Sequence, residues 1–385
     1  MHKQDLIIVG AGVLGAFHAF HALRRGLSVT LLEKDAYPIQ ATVRNFGQVV
    51  PSGMSGRWFD YGRRSLEWYR FIQAQTDISV RPGGTVYIAS DPEEQQLLHE
   101  LKRSMDAKGY PAELLGQTSC LDRWPALKPG YCREGLFFPG EVSVAPEVMI
   151  GRLHAYMQEA FPRYTYRAMT TVVDCYPSEG GVLAVTNGGE RLAAAKVIVC
   201  NGGEFKLLFP ELFSRSGIVV SKLQMMRTRP MPGVALSGNI LTGLTIRRYE
   251  SFEDCPSYAS LSIPDHLREL KAWGIHILFK QADDGSIIIG DSHEYAGAFQ
   301  ADDLGFSLNA YINELMLREA ERIVSFDVRN LDRVWAGFYP QHPERDIVEE
   351  DLEGCIHIRT AIGGKGMTSS AGYAEESIAR LLGDS

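Results

Sequence analysis

The sequence predicts an α/β fold, in which a parallel, nucleotide-binding sheet is interleaved with a second unit built on a mixed sheet. Three observations predict it. An apolar run, Leu6 to Val9, leads into Gly10, Gly12 and Gly15, then a helical stretch to about Arg25 and a second apolar run, Ser28 to Leu32, closed by Glu33. Far along the chain, Lys196 to Cys200 is another apolar strand, ending in Asn201-Gly202-Gly203. Near the C-terminus, Ile362-Gly363-Gly364-Lys365-Gly366-Met367-Thr368 opens a last helix. These glycine-rich turns lie at both ends and in the middle, with β-rich stretches between, so the two units alternate along the chain.

The first segment has the form of a Rossmann-like dinucleotide site. Gly10 allows a tight turn, Gly12 a close backbone approach to a pyrophosphate, and Gly15 close packing of helix on strand. Val13 and Leu14 lie in the helix's first turn, whose free N–H groups and partial positive charge suit phosphates. Glu33 can accept hydrogen bonds from a ribose diol, which argues against a 2′-phosphate and hence against NADP. A tight turn with no ligand is the bland alternative, and it leaves the register of strand, helix, second strand and terminal acid unexplained.

Size and composition narrow the class. The chain has 385 residues, 45% of them hydrophobic, enough for two domains. A net charge of −8 disfavours a nucleic-acid binder. The six cysteines include no C-x-x-C pair, which suggests reduced thiols in a cytoplasmic protein and no structural metal. No apolar run reaches the roughly 18 residues of a membrane span. Leu6 to Phe17 could pass for a signal-peptide core, but Asp5 and the glycine spacing count against that.

Between the motifs, Ala41 to Gly53 is a polar loop and Trp58 to Thr76 a helix. Val80 to Ala89 reads as a strand pair, and Asp91 to Lys108 as an amphipathic helix with Asp91 as N-cap. Segment 110–144, rich in Gly and Pro, reads as irregular. Strand character runs through 217–300, with Asp283-Asp284-Gly285 as a hairpin turn, and Leu304 to Val324 reads as one long helix. The nucleotide-binding domain is therefore expected on 1–80, 145–215 and 325–385, and the substrate domain on 81–144 and 216–324.

The order of these pieces resembles the amine-oxidising flavoproteins that include D-amino-acid oxidase, glycine oxidase and monomeric sarcosine oxidase. The resemblance rests on G-A-G-V-L-G with Glu33, VIVCNGG (197–203), FKQADDGSIIIGDSHE (279–294), VWAGFYPQHPERDIV (334–348) and AIGGKGMTSS (361–370). The stretches Thr42 to Gly47 and Lys222 to Arg227 look closest to a subgroup associated with phosphonate utilisation. The resemblance implies FAD and hydride transfer from a carbon beside an amine nitrogen to flavin N5. It also implies hydrolysis of the resulting imine to a carbonyl compound plus amine or ammonia. The cofactor carries the difficult chemistry, so no obligatory catalytic side chain is expected. O2 or another acceptor would reoxidise the flavin.

Carried onto this chain, the resemblance assigns Gly10, Gly12, Val13, Leu14, Gly15, Glu33 and Lys34 to FAD. Val172 or Val173 would face the adenine, and Asn201 and Gly202 would lie near the adenosine or pyrophosphate. Arg44, Asn45, Phe46, Gly47 and Gln48 fall where the family's loop passes the flavin ring, and Gly337 near it. Gly363, Gly364, Lys365, Gly366, Met367 and Thr368 would direct a helix N-terminus at the flavin. The substrate would be a small amine with an anionic group. Arg227, Arg229, Arg247, Arg248 and Lys365 are candidates for the anion, Tyr249, Tyr258 and Tyr339 for phenolic donors, and Gln48, His276 and His293 for further contacts. For each the bland alternative stands, a solvated surface or a satisfied structural residue.

Departures from the resemblance also carry information. Sarcosine oxidases hold flavin on a cysteine within the segment matching Ala336 to Tyr339, and this chain has none there, so FAD is expected to be non-covalent. Their oxygen-activating lysine matches Ile288, and their carboxylate-binding lysine matches Thr368. The leading expectation is oxidation of an aminophosphonate such as N-methyl-2-aminoethylphosphonate. The alternatives are an amino-acid oxidase or dehydrogenase of the glycine, sarcosine or D-amino-acid type, and a flavin-binding subunit of a larger complex.

Overall fold

The computed structural model describes residues 4–383. Its first sheet grows from the strand Gln4–Val9, which pairs in parallel with Val29–Leu32 on one side and Arg191–Val199 on the other. Tyr164–Arg167 and Ile356–Thr360 extend it outward, also in parallel. Ile7, Ile8, Val29, Leu31, Val197 and Val199 are fully buried. That is the continuous apolar character of parallel strands covered on both faces. The antiparallel strands Val172–Ser178, Gly181–Thr186 and Val348–Leu352 complete the sheet.

The strand order turns round at Gln4–Val9, and in such sheets ligands bind beyond the C-terminal ends of the strands at that point. The residues just past those ends are Gly10 to Gly12, Glu33, Cys200 to Gly202 and Ala361 to Thr368. The expected nucleotide-binding α/β architecture is present, and the glycine motifs converge on one crevice.

The second sheet is mixed and larger. Its order is Glu294–Gly297, Val219–Thr228, Ile287–Gly290, Leu278–Gln281, Asn239–Thr242, Thr85–Ala89, Glu134–Phe138 and Glu113–Gly116. Leu331–Gln341, expected with the nucleotide-binding segments, instead pairs antiparallel with Val219–Thr228 from Val219↔Gln341 to Thr228↔Leu331. Leu278–Gln281 and Ile287–Gly290 form the expected hairpin, with Gly285 at φ +81° in its turn.

Several local expectations give way to packing. Segment 110–144 is ordered, because Leu115, Leu136 and Phe138 bury their side chains and Glu134–Phe138 pairs with Thr85–Ala89. The stretch 217–300 is interrupted by the helices Gly243–Ile246, Glu250–Glu253 and Asp265–Ala272. The long helix is split into Ala301–Gly305 and Ala310–Ile323, since Asn309 caps the second piece by accepting from Tyr311 N at 3.0 Å. Among the described residues, no helix is long and apolar enough to cross a membrane.

Candidate functional site

Two cavities join at the crevice between the sheets, one of about 570 Å³ and one of about 120 Å³, and Gly12, Ala41, Thr42, Cys200 and Gly202 wall both. The smaller is lined by Gly10, Glu33, Lys34, Val172, Asn201 and Gly202. The larger is lined by Val13, Leu14, Asn45 to Gln48 and Gly363 to Thr368 on the first sheet's side, and by Tyr249, His276 and Tyr339 on the second's.

The glycine turn is tightly specified. Gly10 has φ +100°, and a Cβ there would lie 2.2 Å from the Cys200 carbonyl oxygen. A Cβ on Gly15 would lie 2.0 Å from the Gly10 carbonyl oxygen, so Gly15 is what lets the helix Val13–Arg24 sit on the turn. Its N-cap residue, Gly12, offers no side chain, and Thr42 Oγ1 accepts from the Val13 N–H at 3.0 Å. Glu33 is buried at the wall of the smaller cavity. Its two carboxylate oxygens accept from the Ala11 and Asp35 N–H groups at 2.9 and 3.1 Å, which fixes its orientation and leaves lone pairs for a diol.

The second helix end at the crevice is that of Gly366–Leu382, also without a side-chain cap among the described residues. Thr368 ties it to the neighbouring loop, accepting from the Val50 N–H at 3.2 Å. Lys365 lines the cavity but is held by Glu250 at 2.5 Å and Asp346 at 3.4 Å.

On the second sheet's side, His276 Nε2 lies 2.7 Å from Asp291 Oδ1, and His293 stacks on His276 with centroids 5.5 Å apart. Candidate ligand atoms of His276, Asp291 and His293 lie within 4.8 Å of one another. Burial pushes the Asp291 carboxyl up. The His276 and His293 rings, the His276 hydrogen bond and Arg248 outweigh that and hold it below the ordinary carboxylate range. Burial brings His293 down to about 3 and pushes the Tyr249 and Tyr339 phenols up, so all three are neutral at pH 7.

Several residues named from the sequence lie outside the cavities. Val173 is exposed, at a register shift of its strand between Val172 and Asp174. Arg44 donates to the Ile39 and Ala336 carbonyls, at 2.7 and 3.2 Å, and so fixes the loop from behind. Gly337 backs that same turn, where a Cβ would lie 3.0 Å from the Arg44 carbonyl oxygen. Arg227 is bound to Asp284 and Ser286, each at 2.6 Å, at the hairpin end of the sheet. Tyr258 donates to the Arg247 carbonyl at 2.8 Å, and Arg247 itself pairs with Asp91, Glu93 and Glu94. Among the five cations considered, only Arg248 and Lys365 reach the cavity.

The residue-level reading missed Asp291, Thr42 and Ser221, which also line it. Their signal was weak: each is a short polar residue beside a strand or a motif, and no motif spacing singles it out. It also passed over Lys280, which is buried and donates to the Phe46 and Val144 carbonyls from beneath the loop that lines the cavity. Burial brings Lys280 down to about 8. Lys280→Met leaves both carbonyls unsatisfied, at roughly 1–3 kcal/mol each. Cofactor dissociation measured by fluorescence is expected to show binding about tenfold weaker, equivalent to ~1.4 kcal/mol.

Comparison with known proteins settles the family. A family profile described as DAO, FAD dependent oxidoreductase, matches residues 5–380. The chain belongs to the DAO family of FAD-dependent oxidoreductases. It is 22% identical over 354 residues to an opine oxidase subunit of Rhizobium meliloti, covering 88% of this chain and 82% of that one. It is 23% identical over 212 residues to N-methyl-L-tryptophan oxidase of Yersinia pestis, covering 54% and 56%. Its fold matches glycine oxidase from Geobacillus kaustophilus, with TM-score 0.76, 19% identity and coverage of 100% and 95%. It also matches FAD-bound L-α-glycerophosphate oxidase from Mycoplasma pneumoniae, with TM-score 0.78, 16% identity and coverage of 99% and 95%.

The DAO-family crevice in this chain fits the cofactor on its own geometry. The turn at Gly10 and Gly12 leaves backbone open to a ligand, and two helix N-termini face the cavities, neither capped by its own N-cap side chain. Two buried polar atoms on the walls, Gln48 Nε2 and Asn201 Oδ1, have no hydrogen-bond partner, as expected of groups that await one.

Proposed function

We propose that the chain oxidises the C–N bond of a small amine bearing an anionic group, and that the anion is a phosphonate, as in N-methyl-2-aminoethylphosphonate. The observation that carries this reading is the wall of the larger cavity. Arg248, which among the described residues has no ion pair, lines it together with Lys365, Tyr249, Tyr339 and the His276–Asp291 pair. A guanidinium and neutral phenols suit an anion with several acceptor oxygens.

Non-covalently bound FAD would supply the acceptor for the hydride that leaves the carbon next to nitrogen. Glu33 would hold the ribose, and the N-terminus of Val13–Arg24 the pyrophosphate. The helix end at Gly366 would face the flavin, where its partial positive charge favours the negative charge that develops on reduction. Cys200 lines both cavities, but burial pushes its thiol up to about 12, which keeps it protonated and unsuited to forming a flavin bond. Arg248 and the phenol of Tyr249 orient the anionic end, while Met54, Leu223 and Leu278 give the wall apolar patches that exclude water. Once the ammonium has lost a proton to solvent, the nitrogen lone pair forms the C=N bond as the carbon loses hydride. Water then adds to that bond and releases a carbonyl compound and an amine.

A second reading, an amino acid as the substrate, is favoured by the fold match to glycine oxidase. Anaerobic mixing separates the two. Loss of the oxidised-flavin absorbance with N-methyl-2-aminoethylphosphonate but not with sarcosine or glycine is expected. Bleaching by sarcosine or glycine alone would move the substrate to the amino acids. Admitting air afterwards reports whether O2 is the acceptor.

A further inference from the structure

Resting on the reading of this cavity as an amine-oxidising site, we propose that Asp291 is its ammonium-recognition group, so that Asp291 and Arg248 together read the two ends of a zwitterion. Asp291 lies just past the strand Ile287–Gly290 and lines the larger cavity. It is buried and pairs with no lysine or arginine among the described residues. A buried carboxylate without such a cation is costly unless something positive reaches it.

Two histidines flank Asp291. His276 Nε2 approaches Oδ1 at 2.7 Å, while its Nδ1 lies 3.2 Å from the Thr245 hydroxyl. Asp291 Oδ1 is buried and accepts no hydrogen bond of good geometry among the described residues, which leaves it for a ligand. The Tyr249 ring stands edge-on to His276 at 5.8 Å in the same wall and offers an aromatic surface to a cation.

His293 Nδ1 lies 3.0 Å from the Gly274 carbonyl oxygen. A carbonyl only accepts, so that nitrogen carries the ring proton and Nε2 keeps the lone pair. Arg248 completes the arrangement. It lines the same cavity, and its guanidinium donates to the Tyr295 hydroxyl at 3.2 Å and forms no ion pair among the described residues. An ionised acid and a guanidinium in one cavity, neither bound to an oppositely charged chain residue other than histidine, match a ligand that brings both charges.

The test compares two probes on the full-length protein loaded with FAD. They are 2-aminoethylphosphonate and ethylphosphonate, which differ by the amine, with binding read from the flavin absorbance spectrum. The wild type is expected to bind the amine-bearing probe at least about tenfold more tightly, as a charge-assisted hydrogen bond provides. Equal affinity for both probes would overturn the proposal without any variant. Asp291→Asn is expected to abolish the preference while leaving ethylphosphonate affinity within about threefold. A variant that keeps the preference, or that loses both probes equally with its FAD still bound, also overturns it. Glycine and acetate form a second pair. A preference for glycine over acetate that Asp291→Asn removes, with neither phosphonate bound, moves the substrate to amino acids and retains the role of Asp291. Binding of none of the four by the wild type overturns both readings.

Discussion

Gly15→Ala is expected to yield a protein that purifies without bound FAD and melts at a lower temperature than the wild type. Helix propensity alone points the other way, since alanine is favoured over glycine inside a helix by about 1 kcal/mol. The close approach decides the sign. The new Cβ would stand 2.0 Å from the Gly10 carbonyl oxygen and 3.3 Å from Ile8 Cγ2. The helix must then lift from the strand or the turn must open, and either change moves the amides that face the pyrophosphate. Cofactor affinity is expected to fall at least about 100-fold, equivalent to ~2.7 kcal/mol. Gly151→Ala is the control. Gly151 lies inside the helix Pro146–Ala160 with nothing within 4 Å of its added Cβ, so stability is expected to rise by roughly 0.5–1 kcal/mol. Thermal melts and flavin content of the two variants check both signs, and a yellow, stable Gly15→Ala protein would refute the account of the turn.

Acidification from pH 7 to pH 5.5 is expected to lower the melting temperature and to loosen the cofactor. Burial brings His18 and His154 down to about 4, and His21 and His293 to about 3. An unfolded histidine takes up its proton near pH 6.5, so below that value the unfolded chain binds more protons than the folded one. Stability from these groups is present above pH 6.5 and is lost as pH falls towards the folded values. One unit below 6.5 the loss is about 1.4 kcal/mol per histidine. Glu141 opposes them, because burial raises it to about 7, so its contribution grows on acidification. Four histidines against one carboxyl leave a net loss on the order of a few kcal/mol.

The site feels this loss because three of these histidines, His18, His21 and His154, bind the helix Val13–Arg24 and its turn. His154 Nε2 donates to the Ala11 carbonyl and His21 Nε2 to the Ala371 carbonyl, each at 2.9 Å, and His18 bonds Leu14 and Ser377. Differential scanning fluorimetry between pH 7 and pH 5.5, with flavin release followed in parallel, checks the expectation. His154→Gln keeps the hydrogen-bonding reach without the titration and is expected to show a shallower pH dependence. An unchanged melting temperature across this range would contradict it.

Much of the site could be read before folding was considered. The turn at Gly10 to Gly15, Glu33 at the end of the second strand and the loop from Gly363 to Thr368 are contiguous patterns, and each states a local backbone requirement. The charges of the substrate side could not be read this way. Arg227 and Arg248 are the same residue type in similar polar surroundings. Arg227 is taken by Asp284 and Ser286 across a hairpin, whereas Arg248 faces the cavity. Lys280 and Asp291 were passed over for the same reason, since nothing near them in the sequence marks them as buried.

The sequence by itself determined the α/β class, the glycine turns and the acid that closes the second strand, because these depend on neighbouring residues and on backbone geometry. Tertiary structure alone decided that Leu331–Gln341 joins the second sheet and that Arg248, rather than Arg227 or Arg247, faces the crevice. It also brought Asp291 beside His276 there. Those outcomes depend on which distant partners desolvate or neutralise each group, and that is set only when the two sheets close around the same space.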